Sequence, residues 1–328
     1  METAHVVVGA GPVGRATATH LASLGRTDVV LASRSGSGEE LDGVRRVALD
    51  AADAAALSAL VTRVSGGGPA VLHNCVNPPS YDVWSTWWPP VHEALLAAAE
   101  RTGAVLATAS CLYPYGRVTG PMTEGMPDAG TGPKERLRAR MWADALQAHR
   151  EGRIRAVEVR GSDYMGPGVA TAHVPMVARR ALTGRAVRVF GRADVPHSFT
   201  DVRDMARALV ATAEDPAAHG RVWHAPTNPP VTQRQAVADV CRAAGVEPVA
   251  VRAWPRALLG LGGVVVPMLR ELRETVHQFE APYVLDSSAI TRELGLAPTP
   301  WAEVCRATAE TSGPATAAAE RPRQDSNL

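Results

Sequence analysis

The chain has 328 residues, 46% of them apolar, and a formal net charge of +1, so it can bury a substantial core and is neither a disordered nor a strongly charged polypeptide. Balanced charge without a basic run gives no reason to expect nucleic acid or an anionic membrane as partner; the expected partner is a small-molecule substrate, with a homodimer left open. Cys75, Cys111, Cys241 and Cys305 lie far apart and form no C-x-x-C pair, which fits a reducing compartment better than disulfides or zinc, and no metal is expected.

From Ala4 to Arg34 the chain reads as strand, glycine-rich turn, helix and second strand. The β-branched run His5 to Val8 leads into Gly9-Ala10-Gly11-Pro12-Val13-Gly14, then an alanine-rich stretch to Leu24 and the apolar run Val29 to Ala32. Gly9 permits the tight bend, Gly11 lets backbone approach a pyrophosphate, and Gly14 lets helix pack on strand, while free amides at the helix start attract phosphate. The alternative is a purely structural turn.

The end of the second strand bears on which nucleotide. A carboxylate there bonds ribose hydroxyls, whereas arginine accommodates a 2′-phosphate. This chain has Ser33-Arg34-Ser35-Gly36, with no carboxylate before Glu39, so NADP(H) is favoured and NAD(H) left open. Arg34 as a solvated loop cation is the competing reading.

Further strands are expected at Arg46-Leu49, Ala70-His73, Ala104-Thr108 and Ala156-Val159, with helices at Asp53-Val64, Pro90-Thr102 and Glu135-Glu151. That alternation predicts an α/β fold with a Rossmann-type doubly wound parallel sheet and a smaller C-terminal α/β lobe. The expected organisation is a nucleotide domain over 1–168, a substrate lobe over 169–310 whose segment 186–225 returns to the sheet, and a disordered tail over 311–328. The first strand begins almost at Met1 and leaves no room for a signal peptide. The apolar stretch 257–269 holds three glycines and a proline and is shorter than the about 20 residues of a bilayer span, so a cytoplasmic location is expected.

Several segments carry a family resemblance: the glycine turn at 9–14, Asp50, His73-Asn74-Cys75-Val76, Ser110-Cys111-Leu112-Tyr113-Pro114-Tyr115-Gly116, Arg160 to Gly168, and His197 to Ala206. In order and spacing they resemble the extended short-chain dehydrogenase/reductase superfamily, in its epimerase/dehydratase branch. The resemblance implies that Asp50 contacts adenine and that Cys75, Val76 and Asn77 line the cofactor. Asp50 as a helix N-cap is the local alternative.

The family's chemistry uses a Ser or Thr, a Tyr, and a Lys four residues after it, for acid/base work beside a hydride path. None of the five tyrosines has that lysine. In the family register Arg136 and Arg140 fall where Tyr and Lys belong, and Cys111 falls on the Ser/Thr, which makes this an atypical member. Arg140 could hold ribose but cannot donate a proton. The candidate acids are therefore Tyr113, Tyr115 and Tyr164, with Cys111 as a possible nucleophile or a buried hydrophobe. Trp84 and Trp88, with Tyr81 and Trp87, form either a substrate-facing lid or a plug over core, and His197 either touches substrate or is structural. Three functions remain open: reduction of a carbonyl or enone, a cofactor-binding regulatory protein that has lost catalysis, and nucleotide-sugar epimerisation or dehydration.

Overall fold

The computed structural model describes residues 2–78, 80–254 and 274–313; the apolar stretch 257–269 and the tail from 314 lie outside the described residues. In chain order the first half comprises β1 (Ala4–Val8), α1 (Pro12–Ser23), β2 (Val29–Ser33), β3 (Val44–Ala48), α2 (Ala54–Ser65), β4 (Ala70–Asn74), α3 (Trp84–Thr102), β5 (Val105–Cys111), α4 (Pro133–Arg150) and β6 (Arg155–Gly161). The second comprises β7 (Asp163–Met165), α5 (His173–Ala181), β8 (Val187–Val189), β9 (Pro196–His197), β10 (Phe199–Asp201), α6 (Val202–Glu214), β11 (Val222–His224), β12 (Val231–Thr232), α7 (Gln233–Ala243) and β13 (Val251–Ala253). Two helices follow, α8 (Ser288–Leu294) and α9 (Trp301–Ser312).

Seven strands form one sheet in the order β3-β2-β1-β4-β5-β6-β11, every pair parallel. This is the expected doubly wound α/β architecture. Helices cover both faces, which is why β1 and β4 are buried along their whole length. Leu57, Leu95 and Trp142, from α2, α3 and α4, pack on one face, and Leu21, Met205 and Leu209, from α1 and α6, on the other. A separate apolar cluster joins α5, α7 and α9 through Val174, Val237, Val240 and Val304. The strand order reverses between β1 and β4, and a ligand crevice opens beyond the carboxyl ends of strands at such a point. The turns after β1 and β4 are therefore the first place to look for a site.

Three local expectations are corrected. The helix expected from Pro90 begins at Trp84, with Pro89 and Pro90 inside it. Proline inside a helix costs about 3 kcal/mol because it lacks the amide hydrogen and presses on the preceding turn. Trp84 and Trp88 are buried, Trp88 to 1% exposure, and burial of each large side chain contributes about 1.5–3 kcal/mol, enough to hold that first turn. Both indoles pack into the core cluster of that sheet face. Second, Asp53 and not Asp50 caps α2, its Oδ1 accepting from the amides of Ala55 and Ala56. Third, α9 runs to Ser312, with Thr311 Oγ1 accepting from the Gly168 amide, so the boundary placed at 311 falls inside a helix.

The sheet also buries two imidazoles. His5 on β1 and His73 on β4 stack, with Nδ1 of one 3.2 Å from Nε2 of the other. Burial pushes His5 down to about 4 and His73 well below the ordinary 6.5. Because the folded values lie below the unfolded one, the fold favours the neutral rings. Their contribution is complete above about pH 6.5 and is lost as pH falls toward 4. Urea unfolding should accordingly show a lower midpoint at pH 5 than at pH 7.5; equal midpoints would contradict two neutral buried imidazoles.

Candidate active site

The glycine turn meets the tightest constraints in the crevice. Gly9 has φ of +104°, and a Cβ there would lie 2.6 Å from the Cys75 carbonyl oxygen; a Cβ on Gly14 would lie 1.7 Å from the Gly9 carbonyl oxygen. Only glycine lets β1, β4 and α1 meet at those two points. At Gly11 nothing stands within 4 Å of the Cβ position, and no side chain caps the amides of α1, which starts at Pro12 with Val13 turned inward. Uncapped helix-start amides facing open space suit a phosphate.

Around this turn the cofactor candidates divide by environment. Ser33 Oγ accepts from the Gly36 amide, and Arg34 is exposed with no hydrogen bond or ion pair among the described residues. Glu39, the first carboxylate of that loop, is engaged by Arg15. Asp50 is exposed and accepts from the Ala52 amide. Cys75 is buried with its sulfur 3.8 Å from Thr17 Oγ1, and burial pushes the thiol up to about 12, so it packs and does not react. Val76 is half-buried and Asn77 exposed.

The α4 helix corrects the register read from sequence. Arg140 is 82% exposed and Arg136 is exposed too, so both point away from the crevice. A helix places residues four apart on one face. The inward residues near its start are Lys134 and Arg138, two positions earlier than expected, in line with the buried Met141, Trp142 and Ala145. Pro133 occupies the first helical position, a place that its fixed φ and missing amide hydrogen suit. Arg138 is buried, and its Nη2 donates to Ser110 Oγ at 3.0 Å and to the Ala109 carbonyl at 3.2 Å, at the end of β5. Its Nε and Nη1 are buried without a partner. Lys134 Nζ lies 2.8 Å from Glu274 Oε2 and 5.8 Å from the centre of the Tyr81 ring.

The three candidate tyrosines separate. Tyr113 shares a 2.8 Å hydrogen bond with the hydroxyl of Tyr81, and its ring packs against Trp84. Tyr164 reaches the Ser110 carbonyl at 3.5 Å. Both therefore stay beside Cys111 and Arg138. Tyr115 does not join them: it is 2% exposed, and its hydroxyl is 2.8 Å from His224 Nε2. Burial holds His224 at about 4, its Nδ1 donates to the Asp286 carbonyl, and so Nε2 accepts a hydrogen bond from the Tyr115 hydroxyl. Burial pushes Tyr113 and Tyr164 well above the ordinary 10 and raises Cys111 above 9, so all three are protonated. No nucleophilic thiolate is held there. His197 is fully buried, its Nε2 2.7 Å from Asp163 Oδ2.

A model of the NAD dependent epimerase/dehydratase family matches residues 5–225. The chain belongs to this family. Among solved structures, UDP-glucose 4-epimerase from Thermus thermophilus in complex with NAD is 19% identical with a TM-score of 0.74, covering 94% of this chain and 98% of that one. The UDP-glucose 4-epimerase of Brucella ovis with NAD has the same identity, TM-score and coverage. The dTDP-glucose 4,6-dehydratase of Bacillus anthracis with NAD is 14% identical with a TM-score of 0.74, covering 94% and 96%. At these identities the likeness is one of fold. No curated protein sequence matches the chain.

Within the epimerase/dehydratase family this chain carries Lys134-x-x-x-Arg138 on the inner face of α4 and Cys111 at the end of β5. Lys134, Arg138 and Asp163 escaped the sequence reading. Two signals were available: Pro133 as a helix start two residues before the expected one, and Lys134 as the single lysine of the chain. Among the described residues no helix is long and apolar enough to cross a membrane.

Proposed function

We propose that this chain binds a nicotinamide dinucleotide, NADP(H) before NAD(H), and uses it to reduce a carbonyl or enone of a small, partly apolar metabolite. The observation that carries the reading is Arg138, buried beside Ser110 with two guanidinium donors unpaired. Such donors cost about 1–3 kcal/mol each while unpaired, more when charged, and ribose hydroxyls satisfy them. Open space at Gly11 and the uncapped amides of α1 fit the pyrophosphate in the same pose. Arg34, without a partner among the described residues at the end of β2, supports the 2′-phosphate, and the NAD held by the similar epimerases and dehydratase supports a dinucleotide generally.

When bound, the dinucleotide supplies the hydride to the substrate carbon. The chain's own part is to orient and to deliver the matching proton. The Lys134 ammonium, in the inward place four residues before Arg138, gives that proton to the substrate oxygen, and the ion pair with Glu274 holds it in place. Cys111 and the protonated hydroxyls of Tyr113 and Tyr164 line the oxygen's surroundings.

The test is to incubate purified protein with NADPH or NADH and a panel of aldehydes, ketones, enones and UDP- or dTDP-sugars, following loss of reduced nicotinamide and any isomerised or dehydrated sugar. We expect NADPH oxidation with panel members, tighter binding of NADPH than NADH, and loss of that preference in Arg34→Ala. Lys134→Met should lower kcat by about 100-fold or more, the usual scale of a general acid. Tight NADPH binding without any turnover would instead support a cofactor-binding regulatory protein, a reading favoured by phenols that burial pushes up. Sugar conversion would support epimerisation or dehydration.

A further inference from the structure

Asp163 opens β7 just past the end of β6, and His197 closes β9; the side chains meet at 2.7 Å between Asp163 Oδ2 and His197 Nε2. The other ring nitrogen, Nδ1, lies 3.2 Å from the Gln278 carbonyl. Both nitrogens therefore face acceptors, and an imidazole satisfies two acceptors only with hydrogen on each nitrogen. The ring is also held between aromatic faces, with centroids 4.8 Å from Phe279 and 5.4 Å from Tyr283 at interplanar angles of 17° and 22°. Electron-rich ring faces stabilise a cation placed over them. His173, stacked 3.7 Å from Phe279, is the contrasting case: burial lowers it to about 4 and its Nε2 has no partner, so it is neutral.

This arrangement uses only one carboxylate oxygen. Among the described residues Asp163 Oδ1 has no hydrogen-bond partner, and the side chain keeps 18% exposure. Burial alone would push the Asp163 carboxyl up, but the hydrogen bond from His197 together with the charge interactions with His197 and His173 holds the group below its ordinary value. Asp163 directly precedes Tyr164, whose hydroxyl reaches the Ser110 carbonyl, and its charge helps raise the Tyr81 and Tyr113 hydroxyls, so the carboxylate lies within electrostatic reach of the proposed reacting centre. Resting on the reduction reading above, we infer that Asp163, oriented by His197, recognises a hydrogen-bond donor on the substrate, and that this protein's carbonyl substrates carry a hydroxyl or ammonium group. A compound without the donor strips water from Oδ1 and leaves it unpaired, and sites built around a buried polar partner discriminate strongly against such analogues. A phosphate at this place is repelled. Asp163 is the recognition residue, and His197 is its positioning residue.

The test separates recognition from turnover. The full chain loaded with oxidised dinucleotide, which cannot reduce a ketone, is titrated calorimetrically with α-hydroxyacetophenone, α-aminoacetophenone and propiophenone, which share ring and carbonyl and differ in the terminal group. The two donor-bearing ketones should bind about tenfold or more tighter than propiophenone, the worth of one hydrogen bond to a charged acceptor. Asp163→Asn, which keeps shape and an acceptor oxygen but not charge, should erase the advantage of the ammonium compound first. Nitrogen-edited NMR should find hydrogen on both His197 ring nitrogens and a shift of those signals in Asp163→Asn. Equal or undetectable binding of all three ketones, an unchanged preference in Asp163→Asn, or a single protonated nitrogen on His197 overturns the inference. A donor preference without reduction under NADPH supports recognition and overturns the reduction reading; reduction without donor preference does the reverse.

Discussion

Replacing Arg138 by methionine will weaken binding of NADPH by at least about 100-fold, measured by fluorescence titration of the purified protein. Arg138 brings two buried, unpaired donors to the end of β5. A hydrogen bond from a charged group contributes about 1.5–3 kcal/mol, and each 1.4 kcal/mol is a factor of about ten. Arg138→Lys keeps the charge as a single point and loses the planar fork, so it should recover part of the affinity. The substitution removes two donors that the apo protein leaves unpaired, so thermal stability should fall much less than affinity. Unchanged affinity in a folded Arg138→Met protein would take Arg138 out of the site.

Arg160→Met will lower the thermal midpoint by roughly 5 °C. Arg160 is 1% exposed and binds Glu158 through Nε at 2.7 Å and Asp128 through Nη1 and Nη2 at 2.6 and 3.0 Å, while its guanidinium stacks 4.6 Å from the centre of the Tyr115 ring. Removing it leaves the buried carboxylate of Glu158 without its partner, and breaking a buried pair costs about 3–5 kcal/mol. With an unfolding entropy of about 2.1 cal/mol/K per residue over 328 residues, each kcal/mol is worth about 1.5 °C, and a shift near 5 °C follows. Asp128 lies in the connection that leads into α4, so the same substitution should loosen Lys134 and lower turnover as well. A midpoint within about 2 °C of the parent would show that the network carries little stability.

Much of the fold was legible because it rests on local patterns. The β-branched runs at Val6-Val8, Val29-Leu31 and Val71-Leu72 are buried on both sheet faces, and the glycines at 9 and 14 sit where any Cβ would collide. Such constraints act between near neighbours or along one strand, so they leave a mark in the sequence. The start of α3 was less legible, because Pro89 and Pro90 argue locally for a break while the gain from burying Trp84 and Trp88 comes from the rest of the core. Tyr115 was misplaced for a related reason. Nothing near it in sequence announces that His224, 109 residues away, will accept its hydrogen bond.

The sequence by itself determined the α/β class, the glycine turn, the arginine at the end of the second strand and the lack of a tyrosine-lysine pair, all of which depend on residue type and short spacing. Only the tertiary structure decided the phase of α4, because a two-residue change in register rotates the inward face by more than half a turn. That rotation sends Arg136 and Arg140 to solvent and brings Lys134 and Arg138 to the strand ends. It likewise decided that Asp163 and His197, 34 residues apart, form one buried pair with one oxygen unpaired among the described residues. Side chains separated along the chain acquire a joint chemistry only when packing fixes their distance and removes water between them, and no local spacing encodes that.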